Sequence, residues 1–261
     1  MELSLHGKVA LISGGSQGIG KAIAIELSKL GAACILLARN EHSLVDAIKE
    51  LDASHGQHHQ YFVIDFNDPA SLKLLVEKIL KSTSIDILIN NSGGPTAGLI
   101  FEEVPDKFET AFRQHVVCNQ ILTQTVVPGM KQKSWGRIIN IISTSVRIPL
   151  DNLGVSNTIR AAVASWSKTM SNELAVHGIT VNSLLPGFIA TGRLDAVAAS
   201  FAERAKVTKA EMEDRMKNSV PAKRFGLPSE IAAVAAFLAS PAASYVNGIS
   251  LPVDGGRTGT I

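Results

Sequence analysis

Seven short apolar runs punctuate the chain: Val9–Ile12, Cys34–Leu37, Tyr61–Ile64, Ile85–Ile89, Ile138–Ile142, Ile179–Leu185 and Ile249–Val253. Most are continuous rather than alternating, the pattern of strands covered on both faces. Between them, apolar residues recur at helical spacing, as at Ile19, Ile23, Leu27 and Leu30, and again at Leu72, Leu75, Val76 and Ile79. Strand–helix alternation of this kind predicts right-handed crossovers and one α/β, doubly wound, seven-stranded parallel sheet with helices on both faces. No Pro-, Gly- or Ser-rich linker and no internal repeat interrupts the pattern, so residues 1–261 read as a single domain.

Residues 191–220 break the rhythm. They hold two short helical patterns and many charges, among them Glu203, Arg204, Lys206, Lys209, Glu211 and Arg215. Ligands of doubly wound sheets sit beyond the carboxyl ends of the strands, where an insertion of this length is expected to form a substrate lid.

Composition narrows the function classes. Of 261 residues, 46% are hydrophobic and 18% charged, which suits a packed globular chain. A formal net charge of +2 with no basic block argues against nucleic acid or an anionic membrane as the partner. No apolar stretch approaches the ~20 residues of a membrane span, and the N-terminus lacks a signal-peptide plan, so the expected location is cytoplasmic. Cys34 and Cys118 read as buried, reduced thiols. His55, His58 and His59 cluster in a polar turn without a carboxylate or cysteine at ligand spacing, so no metal site is expected.

The chemistry begins at Ser13-Gly14-Gly15-Ser16-Gln17-Gly18-Ile19-Gly20, which follows the first apolar run and opens a helical pattern. Backbone N–H groups of such a loop and the helix N-terminus behind it receive a pyrophosphate, the arrangement of a Rossmann fold. Gly14, Ser16, Gln17, Gly18, Ile19 and Gly20 are therefore candidate cofactor contacts. The glycine spacing, with Asn90-Asn91-Ser92-Gly93 after the fourth run, resembles the short-chain dehydrogenase/reductase family. The likeness continues through Gly136-Arg137-Ile138-Ile139-Asn140, Pro186-Gly187-Phe188-Ile189 and Val253-Asp254-Gly255-Gly256. It implies that Asp65 meets the adenine edge, that Asn91 lies by the cofactor ribose, that Gly93 also contacts the cofactor, and that Ile189 lies near the nicotinamide.

Charge at the end of the second run selects the cofactor. An acidic residue there would bond the ribose hydroxyls and repel a 2′-phosphate. This chain has Leu37-Ala38-Arg39-Asn40, so the repulsion is gone and Arg39 offers a planar cation to a phosphate. The expectation is NADP(H) over NAD(H).

The catalytic segment departs from the family pattern. Relatives that reduce carbonyls carry a serine at the end of the fifth strand, a tyrosine thirteen residues on, and a lysine four further. An asparagine lies on the preceding helix. The tyrosine protonates the alkoxide, the lysine lowers its pKa and holds the ribose, and the serine orients the substrate oxygen. Mapped without gaps, Ser143 matches the serine, but Ser156 stands for the tyrosine, Arg160 for the lysine and His115 for the asparagine. A register shift does not restore the pattern, because the only tyrosines are Tyr61 and Tyr245. Arg160 keeps the cation for ribose and for developing negative charge. His115, with an unperturbed pKa of ~6.5, is the candidate replacement proton donor. The resemblance thus implies an oxidoreductase acting on a carbonyl, alcohol or enone small molecule through an altered site. Its rival is a catalytically silent NADP(H)-binding sensor or assembly subunit. Family habit and the small residues Ala161, Ala162, Ala164 and Ser165 further imply a homotetramer or homodimer.

Overall fold

A computed structural model of the chain describes residues 1–259. All seven expected strands form: β1 (Val9–Ser13), β2 (Ala33–Ala38), β3 (Gln60–Val63), β4 (Ile87–Asn90), β5 (Gly136–Ile141), β6 (Ile179–Pro186) and β7 (Ser250–Val253). They make one parallel sheet in the order β3-β2-β1-β4-β5-β6-β7. The order reverses between β1 and β4, so a crevice opens beyond their carboxyl ends.

Strand alternation sorts the core into two layers. Ala10, Ile12, Leu36, Ile87 and Ile89 point to one face, where α1 (Gly18–Lys29) supplies Ile23, Ala24 and Leu27, and α9 (Pro228–Ala239) supplies Ile231, Ala232 and Ala235. Leu11, Ile35, Leu37, Leu88 and Ile138 point to the other. There α3 (Pro69–Ile79) brings Leu72, Val76 and Ile79, and α5 (Cys118–Gln132) brings Cys118, Leu122 and Val126. Covering on both faces is why the strands read as continuous apolar runs. Cys34 and Cys118 are buried free thiols, as expected, and burial pushes them up to about 12 and about 11.

The remaining helices are α2 (Glu41–Lys49), α4 (Pro105–Phe112), α6 (Gly154–Leu174), α7 (Gly192–Ala205) and α8 (Lys209–Asn218). A π-helical turn, Arg113–Val117, joins α4 to α5. The two helical patterns of residues 191–220 are α7 and α8. They share a small core of Leu194, Ala198, Ala202, Met212 and Met216, separate from the two sheet layers. An Ile189–Gly226 bridge closes this excursion at its base, with Ala190 N–H donating to the Gly226 carbonyl at 2.8 Å. Among the described residues, no helix is long and apolar enough to cross a membrane.

Candidate active site

A cleft of about 790 Å³ runs along the carboxyl ends of the strands, within the size range of small-molecule sites. One end is the glycine loop. Gly14 (φ +60) and Gly18 (φ +55) take left-handed conformations that disfavour a side chain. A Cβ at Gly14 would also stand 2.6 Å from the Asn91 carbonyl, and one at Gly20 would stand 2.2 Å from the Gly14 carbonyl. The loop is therefore drawn tight, and Asn91 holds it there by donating from Nδ2 to the carbonyls of Ser13 (3.3 Å) and Gly14 (3.2 Å). Gln17 gives the first turn of α1 no side-chain cap, and no acidic residue lies in that turn. The N-terminal amides are left for a ligand anion, as pyrophosphate binding requires. The loop thus fits the expected dinucleotide.

Gly14, Ser16, Gln17, Gly18, Ile19, Arg39, Asp65, Asn91, Gly93 and Ile189 all line the cleft. Gly20 does not: it sits behind the wall, where lack of a Cβ admits the Gly14 carbonyl. The close approach it permits shapes the loop. Arg39 is exposed at the end of β2, beside Asn40, whose side chain caps α2. Lys21, a wall residue the sequence did not single out, is already paired with Glu50 at 2.7 Å.

The other end of the cleft is built by β5 and α6, and it collects Ser143, Ser156 and Arg160. A buried polar chain sets the rotation of α6. Asn90 donates to Asn140 at 2.8 Å, Asn140 donates to Ser167 at 2.9 Å, and Ser183 donates to Ser167 at 3.0 Å. Ser167 lies two helical turns beyond Arg160 on the same face, so fixing one aims the other. Arg160 donates from Nη1 to the Ile141 carbonyl at 2.7 Å and from Nη2 to the Ser92 carbonyl at 3.4 Å. Burial, and secondly Arg193, lower its pKa to about 10, which leaves it charged at neutral pH. The Ser143 oxygen accepts from the Ser145 amide at 3.0 Å, which leaves its own proton to donate.

His115 departs from expectation. It lies in the π-helical turn, 2% exposed, and is not part of the cleft wall. Its Nδ1 is 2.7 Å from the Ser92 hydroxyl. Burial first, then the Arg160 charge, drop its pKa to about 3, so the ring is neutral at physiological pH. The near-neutral acid expected from its ordinary pKa is not present. His59 is also committed, with Nδ1 accepting from the Cys34 amide and Nε2 at 2.9 Å from the Asp52 carbonyl.

Arg193 is a second charged wall residue that sequence reading passed over. It follows Thr191-Gly192 at the start of α7 and reaches across the cleft to donate to the Pro95 carbonyl. Its place in the wall follows from how α7 folds back over the strand ends, which the local sequence pattern does not show.

A dinucleotide-shaped loop at the switch point of a seven-stranded parallel sheet defines a Rossmann-type nucleotide-binding protein. A family model described as enoyl-(acyl carrier protein) reductase matches residues 14–258. The NADPH-dependent reductase BacG of Bacillus subtilis is 32% identical over 256 residues, covering 97% of this chain and 99% of the relative. The 3-oxoacyl-[acyl-carrier-protein] reductase FabG of Vibrio cholerae is 36% identical over 257 residues, covering 97% and 98%. Among solved structures, L-sorbose reductase from Gluconobacter frateurii, complexed with NADPH and L-sorbose, superposes with a TM-score of 0.92 at 32% identity over 100% of both chains. The chain belongs to the short-chain dehydrogenase/reductase family of oxidoreductases.

Proposed function

We propose that this chain is an NADP(H)-dependent oxidoreductase that acts on a carbonyl, alcohol or enone small molecule through an altered proton-delivery site. The observation that carries the reading is convergence: Ser143, Ser156 and Arg160 share one cleft with the glycine loop and Arg39. Relatives described as NADPH-dependent or complexed with NADPH support the cofactor. Ser16, Gln17, Gly18 and Ile19 would hold its pyrophosphate, Arg39 its 2′-phosphate, Asp65 the adenine edge, and Ile189 the nicotinamide side. Once bound, the cofactor supplies a hydride.

The chain's own residues do the rest. The Ser143 hydroxyl donates to the substrate oxygen and orients it. Arg160 holds a ribose hydroxyl and stabilises negative charge growing on that oxygen. Ser156, standing where the family has its tyrosine, is too weak an acid to protonate an alkoxide efficiently. Among the described residues, no tyrosine, histidine or cysteine lines the cleft. Hydride delivery to an enone suits this wall better than delivery to a simple ketone. The resulting enolate needs charge stabilisation first and takes its proton at carbon afterwards, from solvent. Helices α7 and α8 act as the lid, tied to the far wall by Arg193 at Pro95 and by Arg204 donating to Asn152 at 2.7 Å. Exposed Phe112, Val117 and Tyr245 supply apolar surface for a homotetramer or homodimer.

The test is a single-turnover assay with NADPH bound to excess protein and a panel of ketones, aldehydes and enones. Oxidation of the nicotinamide above the protein-free rate, fastest with enones, is expected. Replacing Ser156→Tyr together with Arg160→Lys is expected to raise ketone reduction by ~10²–10⁴, the usual worth of a general acid. Bound NADPH that no compound oxidises would leave only a binding role.

A further inference from the structure

The cleft wall carries four cations, Lys21, Arg39, Arg160 and Arg193, against one carboxylate, Asp65. Lys21 is neutralised by Glu50, and Arg39 lies at the end of β2. That leaves Arg160 and Arg193, which meet from opposite walls at Gly94. A Cβ built on Gly94 would stand 3.3 Å from Arg193 Nη2 and 3.6 Å from Arg160 Nη2. Two guanidinium groups thus border one small space, which the missing side chain keeps clear. Among the described residues, neither pairs with a carboxylate: their hydrogen bonds go to the carbonyls of Ile141, Ser92 and Pro95. Each perturbs towards its neutral form, Arg160 through burial and the Arg193 charge, and Arg193 through burial. Like charges brought together without a counter-charge are costly unless an anion joins them.

We propose that Arg193 and Arg160 form a subsite for a carboxylate carried by the substrate, so that the enzyme selects acidic carbonyl or enone compounds over neutral ones. This rests on the oxidoreductase reading above and supplies the substrate class that reading leaves open. Guanidinium groups suit the role because each presents paired N–H donors in a plane that matches a carboxylate. The cofactor pyrophosphate is the competing source of negative charge. Position argues against it. Thr191 is the residue of this segment that faces the glycine loop, its Cγ2 lying 3.4 Å from where a Cβ on Gly18 would be. Arg193, two residues on, is drawn to the opposite wall at Pro95.

The deciding experiment is calorimetric titration of the NADP+-loaded protein with 4-oxo-2-pentenoate and acetoacetate, each beside its methyl ester. At least tenfold tighter binding of the acids is expected. Arg193→Gln is expected to cut that preference to less than threefold while NADP+ affinity stays within about twofold, and Arg193→Lys to retain part of it. Equal binding of acid and ester, no binding of either acid, or a preference that survives Arg193→Gln would overturn the subsite. A tenfold loss of NADP+ affinity in Arg193→Gln would overturn it too, by giving the arginine to the pyrophosphate. The underlying reading fails separately. Acids that bind through Arg193 yet never oxidise NADPH would keep the subsite and remove the hydride chemistry. Neutral and acidic probes oxidising NADPH equally well would do the reverse.

Discussion

At the β1–α1 end of the cleft the wall is built mainly of backbone amides and glycines, whereas where β5, α6 and α7 meet it presents side chains, two of them guanidinium groups without an acidic partner among the described residues. The first end is specified by what is missing. Gly14, Gly18 and Gly20 cannot carry a Cβ without meeting the loop, Asn91 or a left-handed φ. The second end is specified by what has been put there, with Arg160 and Arg193 converging on Gly94. A backbone site tolerates little change, because the chain itself would have to move. A side-chain site can be rewritten one residue at a time while the fold stays. In this chain the glycine loop and Asn91 make the first kind of wall, and Ser143, Ser156, Arg160 and Arg193 make the second.

The sharpest way to break the contrast is to fill the backbone site. Gly20→Val would drive a branched side chain into the Gly14 carbonyl, 2.2 Å from the Cβ position, and the Asn91 amide, 2.7 Å away. Neither neighbour is a flexible side-chain tip, since Asn91 is bonded to the loop it supports. At least a hundredfold loss of NADPH affinity is expected, from a strain of about 3 kcal/mol or more. Fluorescence titration of NADPH reads the affinity, and circular dichroism checks that the sheet survives. A variant that bound NADPH within tenfold of wild type would show that the loop has slack the geometry denies.

His115 sharpens the other side, because it bonds Ser92 behind the cleft without being part of its wall. Its folded pKa is about 3 against 6.5 for the free group. The folded state therefore holds fewer protons than the unfolded chain between those values. Stability from this residue is complete above pH 6.5 and is lost as pH falls toward 3. At pH 4.5 the loss is about 2–3 kcal/mol relative to pH 7.5. Urea unfolding at the two pH values should show it in wild type and not in His115→Asn, which offers Ser92 a polar partner but does not titrate. Parallel pH curves for the two proteins would mean that the imidazole takes up its proton in place. The same neutrality predicts no inflection near pH 6.5 from His115 in the NADPH oxidation rate.

How far the sequence carried depends on this division. Continuous apolar runs located all seven strands because covering on both faces imposes that pattern directly. The glycine loop was legible because positive φ and close approach leave few residues to choose from. Ser143, Ser156 and Arg160 were located because one strand and one helix carry them at fixed spacing. Arg193 was not, because its place depends on how α7 folds back over the strand ends, and local periodicity says nothing of that. The burial that silences His115 was equally invisible, since it comes from a π-helical turn packed against α6 and α3 and bonded to Ser92. That Gly20 packs on the Gly14 carbonyl rather than lining the cleft follows from the loop's tight path, which the glycine spacing alone does not give.

Arg39 offers the gentlest probe, because it is the one cationic side chain proposed as a cofactor contact at the backbone-built end. It is exposed and makes no ion pair among the described residues, so its charge is available to a 2′-phosphate and screened by solvent. Hydrogen bonds to charged groups contribute about 1.5–3 kcal/mol, and exposure favours the lower figure. Arg39→Ala should weaken NADPH about tenfold and leave NADH unchanged within about twofold, read by paired fluorescence titrations. Salt should shrink the NADPH effect further. Ala38→Asp tests the same discrimination from the opposite direction, by placing a carboxylate where it repels the 2′-phosphate and accepts from ribose hydroxyls. If NADPH and NADH weaken equally in Arg39→Ala, the arginine recognises adenosine rather than phosphate. Cofactor choice would then lie outside this side chain, and the phosphate discrimination read from its charge would have to come from the backbone-built wall.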